Sequence, residues 1–491
     1  MTGDVFVSPE KYSTEVFAML RSFYPESRLN VFVPESRKED IEKAEKDGWF
    51  CKVSVSGSAG VLKADTEIEG ENRTFEGSAD DAQFKKEFGA WFYSLLSERT
   101  GKSLPWGNLS GVRPTKPALY GILKNESRET IEKYYRVEHF VSEEKTKLAL
   151  DIAEKELRVL GKGFDKRYSI YIGIPFCPTR CLYCSFTSNP IAAYRNSVED
   201  YLSCIRKEMA CTASLLGKDP ETVYIGGGTP TTLSAAQLDI LLSDMEENFN
   251  MEGVTEFTVE AGRADSIDAD KLKVLKDHRV SRISVNPQTM NQSTLDLIGR
   301  KGTPEEVIKA FDLARKIGFD NINMDIILGL PGESVREVAY TLDEIKKLRP
   351  DSLTVHSLAI KRASEMNRVL GEKGVGIFEN SDETMRLAAD AAREMNLEPY
   401  YLYRQKNMAG NLENVGFARE GAECVYNIKI IEELQSIAAL GAGSISKKVE
   451  RTTDDKGDIS YLIKRCENVK DIKGYLERID ELCERKAELF G

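Results

Sequence analysis

From about residue 165 the chain alternates short apolar runs with longer amphipathic ones. The runs near Ser169–Ile174, Thr222–Ile225, Glu256–Glu260, Arg282–Asn286, Asn321–Leu328 and Ser352–Leu358 predict strands. Between them, helical patterns occupy Val198–Leu216, Ala235–Asn248, Pro304–Ile317 and Val335–Leu348. Strand alternating with helix, at spacings too long for hairpins, indicates an α/β protein with a parallel sheet wrapped by helices. About six such units are too few for a closed eight-fold barrel and predict a partial (β/α)6 TIM-like barrel over residues 165–381. Chemistry in that architecture belongs to the loops at the carboxyl ends of the strands.

The flanks read differently. Residues 1–160 predict an α+β N-terminal domain: a short strand at Val31–Val33, a hairpin from Trp49 to Glu69 around Gly57 and Gly60, and an amphipathic helix over Asp80–Glu98. A loop follows at Leu104–Pro114, then a charged helical segment over Ser127–Leu160, with Gly161-Lys162-Gly163 as the boundary. Residues 382–491 predict a C-terminal accessory region. It has a helix at Asp382–Asn396, an aromatic-basic strand at Pro399–Lys406, a turn at Gly441-Ala442-Gly443 and a terminal helix over Ile472–Leu489.

Charge narrows the function. The 491 residues hold 68 Lys plus Arg against 80 Asp plus Glu, a formal net charge of −12. That balance argues against a protein built to neutralise nucleic-acid phosphates. No apolar run approaches the roughly 18 residues needed to cross a bilayer. The opening MTGDVFVSPEKY has neither the basic nor the apolar segment of a secretion signal. The expectation is a cytoplasmic protein with no membrane span and no nucleic-acid partner.

Nine cysteines, an odd number in such a chain, do not form a disulfide framework. Cys51, Cys204, Cys211, Cys424, Cys466 and Cys483 are scattered, as small buried residues often are. Cys177, Cys181 and Cys184 instead fall together as C-P-T-R-C-L-Y-C, three residues after the first predicted core strand. A structural zinc site needs four protein ligands, and a redox dithiol would leave Cys177 idle. Three thiolates at C-x3-C-x2-C suit a 4Fe-4S cluster with one iron left open. Zinc and plain burial stand as the alternatives.

A strand followed by this triad resembles the radical S-adenosylmethionine (SAM) enzymes. The surrounding run Tyr171-Ile172-Gly173-Ile174-Pro175-Phe176-Cys177 resembles the oxygen-independent coproporphyrinogen III oxidase family (HemN/HemW-like), most of all its HemZ type. The resemblance covers about residues 165–450. It implies a 4Fe-4S cluster on Cys177, Cys181 and Cys184 and a SAM molecule chelated at the open iron. It implies SAM contacts from Gly227, Gly228 and Thr229 in G-G-G-T-P-T, from Glu260, Gln288, Arg300 and Asp325, and from Tyr171 and Tyr183 beside cluster and adenine. Ala359 and Ile445 match positions lining the adenosine or a second SAM. The implied activity is decarboxylation of coproporphyrinogen III propionates to vinyl groups, with a tetrapyrrole substrate and an electron donor such as flavodoxin or ferredoxin. The alternatives are a heme-binding chaperone and another radical SAM reaction on a tetrapyrrole.

The chain departs from that pattern at three places. Phe186 replaces a further cysteine, Gly173 replaces the histidine of Y-x-H-I-P, and Val425-Tyr426-Asn427 lacks the histidine of the HemW-type chaperones. Neither of the first two removes a cluster ligand. Tyr400, Tyr401, Tyr403, Arg404 and Lys406, with Lys447-Lys448, set rings beside cations. That arrangement suits either a carboxylated tetrapyrrole or a half-exposed strand with solvated charges.

Overall fold

The segment Tyr168–Ile174 (β1) is buried along its length except at Tyr171, a pattern that only a strand covered on both faces produces. In a computed structural model of the chain, β1 is the first of six parallel strands. The structure describes residues 2–491 apart from 26, 59, 110, 359–379, 406–411 and 454–458. Its contacts divide the chain into two compact units, Met1–Leu150 with Arg404–Glu413, and Asp151–Tyr403 with Asn414–Gly491.

In the larger unit, β1 is followed by α1 (Val198–Leu216), β2 (Thr222–Gly227), α2 (Ala235–Asn248) and β3 (Glu256–Glu260). Then come α3 (Ala269–Asp277), β4 (Arg282–Ser284), α4 (Pro304–Ile317), β5 (Ile322–Leu328), α5 (Val335–Leu348) and β6 (Ser352–Ser357). The six strands pair in chain order. The partial barrel is therefore as expected. Helix starts are legible because α2, α4 and α5 each open on a reciprocal capping box, at Ser234/Gln237, Thr303/Glu306 and Ser334/Glu337.

Strands from beyond residue 382 extend this sheet at both edges. After α6 (Asp382–Glu394), β7 (Glu398–Tyr403) and β8 (Asn414–Ala418) add antiparallel to the β6 edge. After α7 (Val425–Glu432), β9 (Ser436–Leu440) runs parallel beside β1. The hairpin β10 (Ile445–Thr453) and β11 (Ile459–Glu467) then completes eleven strands. The expected terminal helix breaks at Arg478 into Ile472–Glu477 and Ile479–Phe490.

The smaller unit holds a five-stranded sheet in the order Arg28–Phe32, Thr2–Ser8, Cys51–Ser58, Val61–Ile68, Glu71–Ser78. The helix Asp81–Thr100 covers it with Phe84, Phe88 and Phe92. The charged segment after residue 127 forms Arg128–Lys133, a π-helical turn at Tyr134–Glu138 and the helix Glu143–Leu160.

One buried ion network ties the end of the chain to the barrel. Glu208 on α1 is fully buried and accepts from Lys486 Nζ (2.8 Å), Asn468 Nδ2 (2.8 Å), Tyr475 OH (2.6 Å) and the Gly441 amide (2.9 Å). Lys486 also donates to the Ala439 carbonyl at 3.0 Å. A carboxylate taken out of water is tolerated only with such complete satisfaction. Lys486→Met leaves Glu208 without its counter-charge, and the expected loss is about 3 kcal/mol. Chemical unfolding of the two proteins at neutral pH measures it.

Candidate functional site

The cysteine loop leaves β1 at Ile174 and is fixed by its neighbours' backbones. After β2, Gly228 donates to the Ile174 carbonyl (2.8 Å) and Thr229 to the Phe176 carbonyl (2.7 Å). A Cβ at Gly228 would lie 2.5 Å from the Phe176 oxygen, so only glycine permits this approach. Further along, the Leu182 amide donates to the Ile298 carbonyl at 3.0 Å, and Tyr183 packs on Leu295, Ile298, Ile327 and Leu330. The loop is thus held from both sides of the barrel mouth.

All three thiols are free. Cys177 Sγ lies 3.4 Å from Thr229 Oγ1, and Cys184 Sγ lies 3.6 Å from Ser188 Oγ. Burial pushes the Cys177 thiol up, opposed by the Thr229 hydroxyl. Two buried guanidiniums face Cys181: Arg263 Nη1 at 3.8 Å and Arg300 Nη1 at 4.0 Å from Sγ. Arg263 is held by a bidentate pair with Asp265 (2.9 and 2.6 Å) and by the Thr179 carbonyl (3.0 Å). Arg300 Nη2 donates to the Gly262 and Asn286 carbonyls, which aims Nη1 at the cysteine loop.

Of the expected polar residues, Glu260 ends β3, Gln288 follows β4, Asp325 lies within β5 and Arg300 follows the short helix Gln292–Leu297. Gly227 has φ +102°, and a Cβ there would approach the Tyr171 hydroxyl to 3.2 Å. Glu260, at the end of β3, accepts from Tyr224 OH at 2.5 Å. Tyr224 stacks with Tyr426 (4.7 Å between centroids) and with Tyr171 (6.2 Å). Desolvation raises the Glu260 carboxyl to about 7, against the lowering by Tyr224, and Asp325 adds to the rise. Asp325 on β5 accepts from Asn323 (2.6 Å) and Asn286 (2.7 Å), with His356 Nε2 at 3.9 Å.

Gln288 is the most unusual of the group. It adopts φ +66°, in a region few non-glycine residues enter, and is pinned to β5 by Gln288 N to Asp325 O (3.0 Å) and Ile327 N to Gln288 O (2.9 Å). Its side-chain Oε1 is buried and has no hydrogen-bond partner among the described residues. A buried orphan acceptor costs about 1–3 kcal/mol, which a bound donor recovers. The sequence pattern missed Arg263, Asn286, Tyr224 and Tyr426. Arg263 is only one cation in an irregular loop, and Tyr426 stands where a histidine was sought. Ala359 lies outside the described residues.

Beside the cysteine loop a cavity of about 500 Å³ opens, bounded by Tyr171 and Gly227 within, Ser185–Asn189 along the loop, and the turn Ala442–Ile445 opposite. Gly173, in place of a histidine, contributes no side chain to it. Phe186 (69% exposed) and Ile445 (38%) stand at its rim. Among the described residues its cations are Arg180 and Lys470, and no carboxylate lines it. The aromatic-basic strand does not contribute. Tyr400 and Tyr401 are buried, Arg404 is buried and donates to the Leu109 carbonyl, and Lys447 pairs with Glu433 at 2.9 Å. Lys448 pairs with Glu450, and Lys406 lies outside the described residues.

Glu260 yields a pH signature. Its raised carboxyl favours the folded state fully below about 4.5, and that contribution is lost as pH rises through about 7. In the cofactor-free protein, wild type should therefore lose stability relative to Glu260→Gln across that window, and chemical unfolding at stepped pH checks it. A pH-independent difference would remove the buried carboxyl from this role.

Known proteins share this arrangement. The radical SAM superfamily model matches residues 171–345. The oxygen-independent coproporphyrinogen-III oxidase-like protein HemZ of Bacillus subtilis (strain 168) is 40% identical over 412 residues, 83% of this chain and 81% of that one. The heme chaperone HemW of the same organism is 33% identical over 265 residues, 53% of this chain and 66% of its own length. Among solved structures, coproporphyrinogen III oxidase (HemN) from Escherichia coli aligns with a TM-score of 0.52 at 22% identity, over 67% of this chain and 72% of that one. That last likeness establishes a common fold. Identity of 40% across most of both chains establishes more: this protein belongs to the radical SAM superfamily, in its HemN/HemW-like family.

Proposed function

We propose that this chain is a radical SAM enzyme that converts propionate side chains of coproporphyrinogen III to vinyl groups. The observation that carries the reading is the cavity, which joins Tyr171 and Gly227 at the cysteine loop to a cationic, apolar-rimmed opening free of carboxylates. A tetracarboxylate with an apolar macrocycle asks for that combination. The name of the HemZ relative is oxidase-like, in keeping with this choice.

Radical SAM proteins use a 4Fe-4S cluster and SAM, which together supply one-electron chemistry able to remove a hydrogen atom from an unactivated carbon. The chemistry of the residues present suits both groups, although among the described residues no three metal-ligating side chains are gathered at metal-binding spacing. Three free thiols share one loop beside two guanidiniums that offset thiolate charge. The backbone cradle has no room for a Cβ at Gly228 and a positive φ at Gly227, and Gln288 keeps a buried acceptor without a partner among the described residues. In this reading Cys177, Cys181 and Cys184 would hold the cluster. Glu260, Gln288, Arg300 and Asp325 would orient SAM through its ammonium, carboxylate and ribose. Tyr171, Tyr224 and Tyr426 close the barrel interior behind it and exclude water.

For each propionate, a hydrogen atom leaves the β-carbon, the C–C bond to the carboxylate breaks, CO2 departs, and one electron passes to a one-electron acceptor. A small carrier such as flavodoxin or ferredoxin is the donor that starts the cycle. A chaperone reading loses its histidine: Tyr426 is buried in the tyrosine stack.

The test is anaerobic incubation of the reconstituted protein with SAM, reductant and coproporphyrinogen III, followed by mass spectrometry. Vinyl products are expected together with deoxyadenosine, and Cys181→Ala should lose both along with its iron and sulfide. Stoichiometric heme binding with no decarboxylation would replace this reading by the chaperone one.

A further inference from the structure

Two cations reach the cavity, and neither is spent on the protein. Arg180 sits between two of the cysteines, is exposed, and makes one long contact, Nη2 to the Cys184 carbonyl at 3.4 Å. Lys470 also lines the cavity, between β11 and the helix Ile472–Glu477, and is exposed. Neither takes part in an ion pair among the described residues. Lys447, Lys448 and Lys486, by contrast, all have carboxylate partners. Among the described residues no acidic side chain lines the cavity, so its charged side chains are both positive. Phe186 and Ile445 line the same cavity and are exposed apolar side chains.

We propose that Arg180 and Lys470 are a carboxylate-reading pair that seats a flat polycarboxylate across this cavity with its apolar face on Phe186. The pair recognises carboxylates from opposite ends of one ligand, Arg180 by a bidentate fork and Lys470 as a point charge. The assignment deepens the proposed function but is tested by binding alone. A methionyl carboxylate of a second SAM molecule has the same chemistry, so the experiment separates the two sources.

The probe is oxidised coproporphyrin III, titrated into the anaerobic holoprotein and followed by fluorescence quenching, with its tetramethyl ester as the neutral control. The wild type is expected to bind the acid in preference to the ester, with affinity falling as salt rises. Arg180→Glu and Lys470→Glu are each expected to weaken acid binding by about tenfold or more, equivalent to about 1.4 kcal/mol, with ester binding unchanged. Lys470→Glu leaves the cysteine loop untouched, so its effect cannot be ascribed to cluster loss, and iron and sulfide content controls for Arg180→Glu.

Equal binding of acid and ester, or full affinity in both variants, overturns the pairing. Equilibrium dialysis giving two SAM per chain in wild type and one in the variants also overturns it, assigning the cations to SAM instead. If the acid binds as expected but no vinyl product forms from the reduced substrate, the pair stands and the proposed reaction falls.

Discussion

The absence of one methylene-sized atom at residue 228 governs the position of everything around the cysteine loop. With hydrogen there, the segment after β2 can lie against the Ile174–Phe176 backbone and donate two amides to it. Any side chain would push into the Phe176 carbonyl. Cys177 follows directly, so its sulfur is located by backbone and not by side-chain packing. The same approach places Thr229 Oγ1 beside that sulfur. Backbone hydrogen bonds between strand exits are stiffer than loop side chains, and a site built on them keeps its geometry.

Much of this was legible before any coordinates. The core strands are buried almost throughout, as β1 and β5 show with one half-buried residue each, so they read as short blocks and not as a two-residue alternation. The amphipathic helices carry their start signals in local chemistry, so their ends could be placed closely. The strand Glu71–Ser78 could not be read, because it is an exposed edge strand with polar side chains on both faces. β9 was hidden for a different reason: its place beside β1 is fixed by a pairing across more than half the barrel's sequence. Local pattern holds no record of such a contact.

The chemistry divided in the same way. Glu260, Gln288, Arg300 and Asp325 follow strands in a recognisable order. Arg180 was invisible because spacing between ligands treats it as filler, and Lys470 because a single lysine in a loop specifies little. The basic residues that did attract notice proved to be committed elsewhere, Lys447 to Glu433 and Arg404 to a carbonyl. Counting cations along a sequence therefore misleads. Whether a carboxylate already claims each one is decided by tertiary structure.

The Glu208 network also shapes the cavity. Gly441, which begins the turn bounding the cavity, hangs on a carboxylate whose counter-ion is Lys486. The cysteine loop lies some three hundred residues earlier in the sequence. One wall of the cavity is therefore set by a charge pair between α1 and the helix Ile479–Phe490, and a change at either partner reaches the opening through the Gly441 amide.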